Sequence, residues 1–227
     1  MRKGIITLAV IGMIVGVLMA FGPLVANYFS DRGLRTADIT AGGEPASVGM
    51  DGSWQVVRGA GDNVSQAGYT FDEKLPAGSK TTSGRTEDVE GDVKVEDKKL
   101  TEGKITVDVA SISSDVEKRD INVRKSILHT DKFPKATFTL TEPADVSNLP
   151  DDGTTEKVKV TGDLELRGKK NPVTAELKVL RTGEHVILQG NIPFKRSDFD
   201  IQTPQFVAAT IADEGTIDLL LVLEQDK

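Results

Sequence analysis

The chain has 227 residues, enough for one domain with appendages whose core can form without metals or disulfides. It contains no cysteine, which excludes disulfides, thiolate metal sites, a cysteine nucleophile and lipid attachment through cysteine. Its 28 basic and 35 acidic residues give a formal charge of -7, which argues against nucleic acid as a partner and against broad electrostatic docking on anionic lipid.

After Arg2 and Lys3 the chain runs from Gly4 to Ala26 without a charge, long enough as a helix to cross about 30 Å of hydrocarbon. Residues 1–29 are therefore expected to form an N-terminal transmembrane anchor, with a cleaved signal segment as the alternative that would leave the protein secreted. The basic start places the C-terminal domain outside the cytoplasmic membrane, periplasmic or at the cell surface, although Arg32 and Arg35 reduce the charge asymmetry. Gly12, Gly16 and Ala20 recur every four residues, a spacing that lets membrane helices approach closely and leaves a homodimer open. Residues 30–52 have no hydrophobic period but are rich in Gly, Ala and Pro, and read as a flexible linker to a folded domain over 53–227.

Within that domain apolar and polar residues alternate repeatedly, the pattern of strands with one buried face. Ala67, Tyr69 and Phe71 share one parity, as do Gly91, Val93 and Val95, then Ile105, Val107 and Val109, then Ala136, Phe138 and Leu140. The longest run holds Val158, Val160, Gly162, Leu164 and Leu166; Val173, Ala175, Leu177 and Val179 follow, then Val186, Leu188, Ile192 and Phe194. Ile217 to Leu223 is apolar on both parities, as expected of a strand covered on both faces. Glu102-Gly103, Asp152-Gly153, Arg167-Gly168 and Thr182-Gly183 read as hairpin turns. An all-β antiparallel barrel or sandwich follows, interrupted only by one or two helical turns between Ile112 and His129.

Several segments, in order, resemble the YceI-like, lipocalin-like polyisoprenoid-binding proteins. They are Trp54 near the domain start, Gly84 and Gly91, Lys118-Arg119-Asp120-Ile121-Asn122-Val123, and Lys132-Phe133-Pro134-Lys135-Ala136-Thr137-Phe138. Val160 to Val173 and Arg196-Ser197-Asp198-Phe199-Asp200-Ile201 complete the set. Two positions depart from the pattern: Lys132 where an aromatic residue is expected, and Asp200 where Gly is commoner. The resemblance implies an eight-stranded antiparallel lipocalin-like barrel with a short helical connection, whose elongated apolar cavity takes an isoprenoid chain. It also implies export, no catalytic residues and no cofactor. An eight-stranded barrel is wide enough to be filled by its own side chains or to hold one slender ligand. The inward parity then supplies the candidate wall: Phe71, Val107, Val109, Phe138, Leu140, Leu164, Leu166, Leu188 and Phe194. For a diphosphate head the candidates are Arg119, Arg124, Lys125, Arg167, Lys169 and Lys170, with surface solvation as the competing role.

Other chemistries lack support. His129 and His185 are far apart in sequence and would need carboxylates brought in by the fold to hold a metal. There is no Gly-x-Ser-x-Gly elbow, no phosphate-cradling Gly-rich loop, and Asp151-Asp152 sits in a polar segment. The expected function is binding, sequestration or transport of a polyprenyl compound or isoprenoid quinone. The alternative is a non-enzymatic structural or interaction β-domain with a filled core, displayed on the cell surface.

Overall fold

The computed structural model describes residues 33–39, 42–75, 78–202 and 210–226, together with helical positions 11, 15, 16 and 19. The chain divides into two units, Met1–Arg32 and Gly33–Lys227. Apart from those four positions, the expected membrane segment lies outside the described residues, among which no helix is long and apolar enough to cross a membrane.

Among its described residues the second unit has thirteen strands: β1 (Gly52–Val57), β2 (Gly59–Ala60), β3 (Asn63–Val64), β4 (Gln66–Leu75), β5 (Gly78–Thr86), β6 (Val89–Glu96), β7 (Lys99–Asp108), β8 (Lys135–Glu142), β9 (Ala144–Asp145), β10 (Thr155–Leu166), β11 (Lys169–Thr182), β12 (His185–Lys195) and β13 (Thr210–Gln225). One short helix, α1 (Glu117–Asn122), runs into a π-helical turn at Val123–Ile127. The break in alternation between Ile112 and His129 is therefore helical, as its spacing predicts.

Strands β1, β6, β7, β8, β10, β11, β12 and β13 pair in that order, and β13 pairs back onto β1, closing an eight-stranded antiparallel barrel. The long β13 closes the barrel through its last residues, Val222–Gln225, while Thr210–Leu220 pairs with β4, which carries β5. The base of the barrel bears the β6–β7 and β11–β12 hairpins. The segment 109–130, including α1, covers the other end.

The turns follow backbone chemistry. Arg167 (φ 55°) and Gly168 (φ 72°) form the two-residue link of β10 and β11, the left-handed pair that matches the twist of a hairpin. The β6–β7 link is Asp97-Lys98, with φ of 50° and 59°, whereas Glu102-Gly103 lies inside β7. Gly103 was expected to mark a turn because glycine is a common punctuator, but here it faces Leu140 and Val93 within the strand. Asp200 has φ 53°, so the position where the resemblance favours Gly is one where the backbone is left-handed.

Residues 33–39 and 42–50, read from sequence as part of a flexible linker, make specific contacts with the barrel, Ala37 and Ile39 on its outer face and Val48 and Met50 against the base of its interior. The Ala37 N–H donates to Gln66 Oε1 (3.2 Å), Arg85 donates to the Arg35 carbonyl (3.1 Å), and the Ser47 N–H donates to the Gly183 carbonyl (2.8 Å). Ile39 packs with Leu180, Ile187, Leu220 and Val222 on the outer face. That cover explains why the β13 run is apolar on both parities. The absence of periodicity conceals this packing because an extended segment laid on a barrel presents single anchors rather than a repeating face.

Candidate functional site: the barrel interior

The inward parity of the strands builds two apolar clusters stacked along the barrel. At the base lie Trp54, Val95, Val158, Val160, Ala175, Leu177, Val179, Val186, Ile192 and Leu223, with Ala144, Val146 and Leu149 from the β8–β10 connection. Toward the capped end lie Phe71, Val109, Ile112, Val123, Ile127, Leu128, Leu164, Leu166, Phe194, Phe199 and Ile201. Ile217 of β13 packs against both clusters, so the apolar interior is continuous from one to the other.

Glycines shape this wall. A Cβ at Gly162 would overlap the Phe138 ring, one at Gly215 the Phe71 ring, and one at Gly190 would stand 2.6 Å from Leu177 Cδ2. Each glycine lets a neighbouring large side chain lie across the wall. In the base cluster a cavity of about 60 Å³ remains, lined by Trp54, Val160, Leu177, Val179, Leu188 and other apolar side chains. Trp54 is anchored by its indole N–H, which donates to the Met50 carbonyl (2.9 Å).

The nine expected wall residues divide between the two clusters. Phe71, Val109, Leu164, Leu166 and Phe194 are buried in the upper one, and half-buried Val107 packs against it. Phe138, Leu140 and Leu188 are half-buried against the base cluster. Val109 stands in a 3₁₀ turn, Val109–Ser111, started by the Asp108 carboxylate accepting from the Ala110 N–H. Of the nine, Leu188 lines the cavity. Val158, Val160, Leu177, Val179 and Val186 belong to the same alternating runs and complete its wall, whereas Met50, Val146 and Leu149 come from irregular segments without a periodic signal.

The cap is a polar scaffold with an apolar underside. Asp120 is buried, and its carboxylate accepts from the Ser114 N–H (2.8 Å) and hydroxyl (2.6 Å). Arg119 pairs with Asp115 at 2.5 Å, and Arg124 donates to the Ile112 carbonyl (3.2 Å). Burial alone would raise the Asp115 carboxyl, but the hydrogen bond and charge of Arg119 hold it below the usual aspartate range. The Tyr69 hydroxyl is buried beside this group without a hydrogen-bond partner, and burial pushes its pKa up to about 12.

The cations considered for a diphosphate head do not converge on an open mouth. Lys169 pairs with Asp200 (2.6 Å), Lys170 with Asp163 (4.0 Å), and Arg167 donates to the Asp200 carbonyl. With Arg119 and Arg124 engaged in the cap, Lys125 is the one of the six whose exposed side chain makes no ion pair or hydrogen bond among the described residues. His129 (φ 53°) makes a turn in the cap segment, its carbonyl accepting from the Lys132 and Phe133 N–H groups, while His185 begins β12 at the base.

Comparison with known proteins agrees with this architecture. The sequence profile of the YceI-like domain matches residues 61–223. Protein YceI of Shigella flexneri is 29% identical over 142 residues, covering 60% of this chain and 59% of that protein. The chain thus matches somewhat over half the length of that relative. A UPF0312 protein of Vibrio campbellii is 26% identical over 199 residues, covering 84% of this chain and 85% of that protein. Among solved structures, a polyisoprenoid binding domain from Saccharophagus degradans, implicated in plant cell wall breakdown, superposes with a TM-score of 0.57. It is 16% identical and covers 76% of this chain and 98% of that one. Burkholderia cenocepacia BcnA superposes with a TM-score of 0.55 at 26% identity, covering 69% of this chain and 95% of that one. With the profile running from the β2–β3 hairpin into β13, over every barrel strand except β1, the chain belongs to the YceI-like family.

Proposed function

We propose that the barrel interior binds an isoprenoid-type lipid, a polyprenyl compound or isoprenoid quinone, outside the cytoplasmic membrane, and that the protein carries this lipid rather than transforming it. Residues 1–29 serve as its membrane anchor in this reading. The observation that carries the proposal is the continuous apolar interior, joined through Ile217 and lined at its base without polar side chains. A chain transferred into it gains about 0.8 kcal/mol for each methylene-sized group removed from water, so binding needs few polar contacts. The Saccharophagus domain, described as polyisoprenoid binding, has the same fold.

The cavity of about 60 Å³ is smaller than the roughly 300–1,000 Å³ typical of small-molecule sites. A lipid therefore enters by moving side chains apart, and half-buried Phe138, Leu140, Leu188 and Leu219 are the ones placed to yield. Engagement of most nearby cations with acids and carbonyls favours an uncharged head, such as a quinone, over a diphosphate. The same small cavity is the observation that favours the second reading, a displayed interaction domain with a filled core.

Native mass spectrometry of the full chain, purified in mild detergent and followed by lipid extraction, separates the two. A bound mass that resolves into a polyprenyl compound or quinone supports the carrier. A mass that stays that of the protein alone after incubation with such lipids supports the filled-core domain and removes the carrier reading.

A further inference from the structure

Among the described residues of the barrel unit, the exposed large apolar side chains are Leu34 (38% exposed) and Ile121 (44% exposed), and both lie at the capped end. The Gly33 N–H donates to one oxygen of Asp115 (3.3 Å), while Arg119 grips the other (2.5 Å). The Leu34 N–H donates to the Ser83 carbonyl (3.2 Å). Ile121 stands on α1, two residues beyond Arg119. Exposed Lys118 and Lys125 lie three residues before and four after it, a spacing that groups side chains on one helical face.

In the anchored reading, the length of chain before Gly33 limits how far the capped end can stand from the membrane. Six residues, 27–32, separate the apolar run from Gly33, and fully extended they reach about 20 Å. The base hairpins are farther away by the height of the barrel, roughly 30 Å for twelve-residue β10 at ordinary rise and tilt.

We propose that the capped end docks on the outer surface of the lipid bilayer through Ile121 and Leu34, with Lys118 and Lys125 toward the headgroups, making the cap the route by which lipid passes between membrane and barrel. This rests on the anchored-carrier reading above. The overall charge of -7 gives no broad attraction to anionic lipid, so the contact is local and sustained by the high effective concentration that a short tether imposes. The cap is also suited to opening: α1 has six residues and no side-chain hydrogen bond at its N-cap.

The absence of cysteine permits single-site labelling of the full chain in phospholipid nanodiscs. An environment-sensitive fluorophore is placed at Ile121→Cys or, at the base, at Glu184→Cys, and a spin-labelled lipid serves as quencher. The expected result is several-fold stronger quenching at position 121 than at 184. Equal or reversed quenching in chains that remain bound to nanodiscs overturns the docking while leaving the anchor intact. Failure of the unlabelled chain to enter nanodiscs overturns the anchor and this placement together.

Discussion

Arg196 shows how a single residue of the recognised pattern acts. Its guanidinium donates to the carbonyls of Ala212 (2.8 Å), Ile201 (3.0 Å) and Ile211 (3.0 Å), tying the turn after β12 to the irregular start of β13. The side chain is 11% exposed, so its loss leaves three buried or half-buried acceptors unpaired. Arg196→Ala is expected to cost about 3 kcal/mol in chemical denaturation followed by Trp54 emission, and Arg196→Lys to recover little because an ammonium lacks the planar fork. The pattern Arg-Ser-Asp-Phe-Asp-Ile was visible in the sequence, but its structural work was not. Nothing in the linear order reveals that one side chain meets the Ile201 carbonyl and two carbonyls of a bulged strand. Asp200 is the reverse case: a departure in sequence that its left-handed backbone explains.

Among the elements, legibility followed the apolar alternation. β10, β11 and β12 were readable because one parity holds most of the buried side chains of each, whereas β5 reads Gly-Ser-Lys-Thr-Thr-Ser-Gly-Arg-Thr and carries no such signal. Its buried side chains are polar: Ser83 meets Thr70 (2.9 Å) and Thr86 meets Ser111 (2.6 Å). Burial of that strand depends on the segment 33–39 outside and the cap beside it, both distant in sequence. The cap itself should respond to acid. Asp115 has a depressed pKa in the folded protein, so its contribution is fully present above the ordinary aspartate value of about 3.9 and is lost as pH falls through the lower folded value. Amide NMR shifts of Gly33 and of residues 114–120 should therefore move together below about pH 4. In Asp115→Asn they should lack that titration, and an unchanged acid response in the variant would assign it elsewhere.

At the scale of the whole molecule, alternation narrowed the fold to an antiparallel barrel or sandwich, and the ordered motifs pointed to the eight-stranded form. Closure depends on β13 meeting both β1 and β4 along its length, a division of one edge that no local pattern announces. The interior was legible as a parity but not as a space: the wall was placed mainly in the upper cluster, whereas the 60 Å³ cavity lies at the base around Trp54. Trp54 is the chain's single tryptophan, is 1% exposed and lines that cavity, so its emission reports directly on the interior. The most direct test is to titrate the full chain in detergent with an isoprenoid quinone, alongside a Val179→Phe variant that fills the cavity. Saturable quenching of Trp54 at about one ligand per barrel is expected, lost in the folded variant. Quenching that rises linearly without saturation, or is unchanged in the filled variant, would contradict an interior that takes the lipid.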